Sequence, residues 1–253
     1  VSALAEPGAA DLVTLEVERL RGLLRAGRDP DVAAGQTAYL KGLVRFYGWK
    51  GPRVVALSRA EQAATKGWAP AERIDLGLRL LDSEWGEEQQ LGLLILYRHR
   101  QSAPTDLTLR LEPIFDRRAT NWATCDAICG RVLRHRLPQA ADRARLLRWS
   151  ESANTWRRRA ACVAYVNEAR KGLYAEEIRL VVPQALAIDE RFVQLGAGWL
   201  LRERWLAAPD EVVAFLRAQG GEMRREALRY AIEKMPPEQR EALLRETGPA
   251  RRG

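Results

Sequence analysis

The sequence predicts an all-α chain, an α-α superhelix (solenoid) of antiparallel helix pairs. Three observations predict it. Almost every segment repeats its apolar residues at helical spacing, and convincing period-two alternation is absent. The segments are short, and the breaks carry proline near a helix start or glycine near a helix end. Tryptophans recur at Trp85, Trp122, Trp156 and Trp199, at separations of 37, 34 and 43 residues. That is close to the period of two-helix HEAT-like repeats, whose stacked pairs present a concave groove to a long, regular ligand.

Taken in order, helices are expected over 10–26, 31–47 (opened by Pro30), 53–66 (Pro52 before it, Gly67 after it), 70–83 (Pro70), 86–99, 104–118 (Pro104) and 121–136. They continue over 138–149 (Pro138), 155–170 (Asn154 as N-cap, Gly172 after it), 174–188, 191–206, 210–218 (Pro209, Gly220), 223–234 and 237–246. No long linker interrupts the series, so a single HEAT-like repeat domain is expected over 10–246, with flexible ends at 1–9 and 247–253.

At 253 residues, 47% apolar and 29% charged, the chain has the composition of a globular protein with a sizeable core. Its 41 Lys+Arg against 33 Asp+Glu give a net charge of +8, and only five of the basic residues are lysine. Arginine forks onto phosphate, so an anionic partner is favoured; a GC-rich genome writes the same excess. Cys125, Cys129 and Cys162 lie in apolar helical patterns, which points to core thiols in a reducing compartment. Two histidines, His99 and His135, are too few for most histidine-based metal sites, and neither metal nor cofactor is expected. The first twenty residues do not read as a signal peptide, and no apolar run is long enough for a membrane span, so a cytoplasmic, nucleoid-associated location is expected.

Three helices carry candidate functional residues. On 121–135, Trp122, Cys125, Ile128, Cys129, Val132 and Leu133 form one arc, Asp126 stands at its edge, and Thr124, Arg131, Arg134 and His135 face solvent. A carboxylate at such a margin is either salt-bridged to one of the many arginines or left as an unmasked charge beside a ring. In "NTWRRRAACVAYV", Arg159 lies within the apolar stripe of Trp156, Ala160, Val163 and Val166, so it must pair with a carboxylate or face a cleft where phosphate binds. In "RFVQLGAGWLLRERW", Val193, Ala197, Leu200 and Leu201 make a core side, while Trp199 projects elsewhere with Phe192, Leu195 and Gly196. Glycines at 196 and 198 mark close approach of a helix or a ligand.

The stretches "AYLKGLVRFYGWKGPRV", "NWATCD", "NTWRRRAA", "GAGWLLRE" and "MRREALRY" occur in this order across roughly residues 30 to 235. Together they resemble the DNA alkylation repair glycosylases of the AlkD family, built from HEAT-like repeats. The resemblance implies excision of cationic alkylpurines, such as 3-methyladenine and 7-methylguanine, from double-stranded DNA, by a monomer that needs no obligate protein partner and has no membrane role. It implies that Asp126 is the catalytic carboxylate, Trp122 and Trp199 the active-site tryptophans, Arg159 the arginine holding the DNA backbone, and Tyr39 and Lys50 residues of the same groove. The chain departs from the family pattern at Asn121, Ala123 and Leu195. A non-catalytic HEAT-like scaffold binding nucleic acid or protein is the alternative, and a self-resistance glycosylase for bulky natural-product adducts is a third reading.

Overall fold

The computed structural model describes residues 9–248; the remaining terminal residues, where flexible ends were expected, lie outside the described residues. The helices are α1 (Ala9–Ala26), α2 (Pro30–Tyr39), α3 (Gly51–Ala64), α4 (Pro70–Leu81), α5 (Gly86–Arg98), α6 (Leu107–Arg117), α7 (Trp122–Arg131) and α8 (Ala140–Trp149). They continue as α9 (Thr155–Val163), α10 (Val166–Ala169), α11 (Ala175–Leu186), α12 (Arg191–Trp205), α13 (Pro209–Gln219), α14 (Arg225–Ala231) and α15 (Pro237–Glu246). Among the described residues the only extended pairing is an isolated bridge between Arg45 and Trp85, so the all-α expectation holds. No helix of the described residues is long and apolar enough to cross a membrane. The chain divides into two compact units between Thr124 and Cys125, inside α7.

In the N-terminal unit, α4 packs on α5, α1 on α4 and α3 on α5. Leu20, Leu24, Leu76, Leu80, Leu91 and Ile95 are buried together with Tyr47 and Trp49. Here the expected helix over 31–47 is corrected: α2 stops at Tyr39 and an irregular loop follows. Lys41 and Gly42 turn through positive φ (53° and 77°), which ends the helix. Gly48 also has positive φ (96°), and a Cβ there would overlap the carbonyl oxygen of Asp29, so only glycine fits.

A buried carboxylate then pins the loop. Glu87, 1% exposed, accepts the backbone N–H of Tyr47 on Oε2 (3.0 Å) and those of Gly48 and Trp49 on Oε1 (2.8 and 2.9 Å). Tyr47 donates its hydroxyl to Glu88 (2.7 Å) and stacks on Trp85 (centroids 4.0 Å apart). The Trp49 indole donates to the Leu24 carbonyl (3.2 Å), so the loop is tied to α1 as well.

In the C-terminal unit α12 is the hub, packed against α9, α10, α11, α13 and α14. Its buried side is Val193, Ala197, Leu200 and Leu201, as the periodicity predicts. Gly198 lets α14 come close: a Cβ would lie 2.5 Å from the Ala227 carbonyl oxygen. The expected helix over 155–170 is interrupted between α9 and α10. The backbone tightens there, with the Tyr165 N–H bonded to the Cys162 carbonyl (3.1 Å), and the fully buried Tyr165 ring packs near Tyr174 (5.7 Å).

Candidate active site

Asn121 starts the helix that bears Asp126. Its Oδ1 accepts the N–H of Thr124 (2.9 Å), and its amide donates to the Thr124 hydroxyl (3.1 Å). Thr124 is therefore buried, not on a wet face as the helical wheel suggests; its hydroxyl also pairs with Gln89 Oε1 (3.1 Å). Beyond it, Cys125, Ile128 and Cys129 are fully buried, and Asp126 stands at the edge of that face with its side chain 15% exposed.

Both oxygens of Asp126 are held by one arginine. Arg159 Nε donates to Oδ1 and Nη2 to Oδ2, each at 2.8 Å, the side-on fork that guanidinium geometry favours. Arg159 Nη1 donates to the Phe192 carbonyl (2.6 Å) at the start of α12. The Arg159 side chain is only 6% exposed. Burial alone would lower its pKa, but the hydrogen bonds and charge of Asp126 outweigh burial and raise it above the usual arginine value. Breaking such a pair from one side costs about 3 to 5 kcal/mol, because the remaining charge is left buried and alone.

The rest of the unit fits around this pair. Asn154 caps α9 by accepting the N–H groups of Trp156 and Arg157 (2.9 and 3.0 Å), which sets the helix phase that turns Arg159 inward. Trp156 leans on Phe192 (5.3 Å). Gly196 leaves room for the arginine stem, since a Cβ there would lie 3.2 Å from Arg159 Cγ. Both glycines of "GAGW" therefore mark neighbouring helices. Trp199 is half-buried on α12. Tyr230 on α14 has its pKa raised, first by burial, and the charges of Asp126 and Arg159 both reach it.

Four of the six sequence-predicted residues thus meet in two pairs, and Lys50 and Trp199 join neither. Asp126 and Arg159, each read with an ion pair as one alternative, are each other's partner. Tyr39 and Trp122, in the N-terminal unit, meet edge to face (6.3 Å, 73°), and both are exposed, at 71% and 41%. Lys50 is exposed at the N-cap of α3. Sequence reasoning missed the Phe192 carbonyl, for which no residue letter gives a signal, and Tyr230, although "MRREALRY" ends on it. The cysteines are buried; burial pushes the Cys162 thiol up to about 12 and raises Cys129 well above the ordinary range. Among the described residues no three His, Cys, Asp or Glu side chains gather as metal ligands.

A family model described as DNA alkylation repair enzyme matches residues 20–235. No curated protein matches the chain. A solved structure from Enterococcus faecalis, described as a predicted DNA alkylation repair enzyme, superposes with a TM-score of 0.74 at 16% identity, over 83% of this chain and 97% of that one. At that identity the likeness shows the fold.

Proposed function

The chain belongs to the DNA alkylation repair enzyme family, and from that premise we propose that it is a DNA glycosylase, excising cationic alkylpurines such as 3-methyladenine and 7-methylguanine from duplex DNA. Membership makes it an enzyme of alkylation-damage repair with DNA as its partner. The observation that carries the finer reading is the Asp126–Arg159 pair at the margin of a buried face.

An N3- or N7-alkylated purine is already positively charged, so it departs as a neutral base and needs no general acid. The barrier is the positive charge that develops on the sugar. A fixed carboxylate in a partly desolvated place stabilises that charge and orients the attacking water. Asp126 has this role; Trp122 and Trp199 offer ring faces to the cation, worth about 0.5 to 2 kcal/mol each. Arg159 holds both oxygens of Asp126 and so keeps the carboxylate aimed. A guanidinium has five N–H groups and three are taken here, so the other two can reach a DNA phosphate without releasing the carboxylate. The enzyme works as a monomer without a cofactor, on DNA in the cytoplasm.

The test is release of free base from methylated duplex by the wild type and by Asp126→Asn. Equal release by both removes Asp126 from the chemistry, and no release by the wild type removes the methyl-lesion activity. One observation favours the alternative of a catalytically silent DNA-binding scaffold: both Asp126 oxygens are already occupied, as in a structural salt bridge. Tight duplex binding without release of any base is its signature. Release of bulky N3 or N7 adducts in preference to methyl lesions identifies the self-resistance variant of the glycosylase reading.

A further inference from the structure

The N-terminal unit holds a cationic cleft that the Asp126 chemistry does not use. It is open, about 560 Å³, and is lined by Arg28, Arg45, Phe46, Trp85 and a face of α2 that includes Thr37 and Ala38, with no carboxylate in its lining. Helix α2 buries no side chain, so this face is not committed to the core. Arg28 is exposed and has no ion-pair partner among the described residues. Asp29, its neighbour in sequence, is turned to cap the N–H of Val32 (3.1 Å). Arg45 has one weak partner, Glu84 at 3.7 Å, with the two side chains 64% and 59% exposed. Exposed pairs of this kind are worth about 0 to 1 kcal/mol and exchange readily for another anion.

The two guanidinium groups are also held in place. They lie 5.5 and 4.6 Å from the Trp85 ring centroid, and Trp85 is itself stacked on Tyr47. The Arg45 backbone is fixed as well, donating to the Glu84 carbonyl (3.1 Å) and accepting the Gly86 N–H (2.8 Å). The ring contacts and the fixed Arg45 backbone restrict both side chains before a ligand arrives, which lowers the entropy lost on binding. With Trp85 already stacked, the cleft offers guanidinium groups and not a bare ring, which selects a phosphodiester over a stacked base.

We propose that this cleft is a DNA-backbone site in its own right, with Arg28 and Arg45 each taking a phosphate of the duplex. The proposal rests on DNA as the partner, and not on Asp126 being catalytic. The test is binding of lesion-free duplex across a salt series by the wild type, by the Arg28→Gln/Arg45→Gln double variant and by Glu84→Gln, with circular dichroism to establish that each is folded. Losing two phosphate contacts makes the log–log slope shallower by about 2, so the fall in affinity between about 50 and about 200 mM salt shrinks about tenfold. Glu84→Gln, which removes the competing anion, tightens binding severalfold. A folded double variant with the wild-type slope overturns the proposal, as does a Glu84→Gln variant that binds no better. Base release, assayed separately on methylated duplex, reports on the glycosylase reading alone: its absence, with the slope change present, sinks that reading and leaves the cleft standing.

Discussion

Glu87 and Asp126 are both carboxylates held at two or more points, one in each unit, and the way they are held separates scaffold from candidate chemistry. Glu87 is 1% exposed and spends its charge on three backbone N–H groups that have no other partner. Nothing of it is left for a ligand. Asp126 keeps its side chain 15% exposed and is held by an arginine that has two N–H groups to spare. Charge satisfied by backbone fixes a loop, while charge satisfied by a side chain at a margin can be shared with a visitor.

The sharpest way to break this contrast is Asp126→Asn. We expect base release to fall about 10²- to 10³-fold, the usual loss when a fixed electrostatic stabiliser of a transition state is removed, measured by chromatography of the released base with the fold checked by circular dichroism. The same change at Glu87 should act on stability instead. Glu87→Gln leaves at least one buried N–H without a charged acceptor, and we expect a loss of about 1 to 3 kcal/mol in denaturant melts, appearing in melting and not in single-turnover release. If single-turnover release collapses while the melt is unchanged, the division between the two carboxylates is wrong.

Gly198→Ala tests the scaffold that carries Trp199. Its new Cβ would meet the Ala227 carbonyl, a backbone atom that cannot step aside, and we expect a further loss of about 1 to 3 kcal/mol by the same melts. The smallest effect expected is that of pH. Burial pulls the Arg159 pKa down, but Asp126 more than restores it, so this arginine stays protonated while histidines titrate. No proton is needed by the leaving base, so release should be flat across roughly pH 6 to 8. A limb in that range would reveal a titrating group at the site.

The helices were legible because burial in them follows the 3.6-residue period, as Val193, Ala197, Leu200 and Leu201 illustrate. The loop after Tyr39 was not, because what stops the helix from running to 47 includes a carboxylate 40 residues later in the chain, at Glu87. Periodicity sees neighbours on one helix, not an acceptor from another. The same limit applies at the site. Asp126 at an arc's edge and Arg159 inside a stripe were each conspicuous, yet their partnership depends on how α7, α9 and the start of α12 meet, and one of the arginine's three acceptors is a main-chain oxygen. Asn121, a departure from the family pattern, has a local purpose that the sequence did not disclose: it caps α7.

The fork between Asp126 and Arg159 is electrically neutral as a whole, a fixed dipole with a negative and a positive end. An alkylated nucleotide is a zwitterion, with a cationic base joined through the sugar to an anionic phosphate. On the proposed reading the two can align head to tail, whereas an undamaged nucleotide offers only its anionic end. Damage would then be recognised by the polarity of the nucleotide, and the size of the alkyl group would matter little.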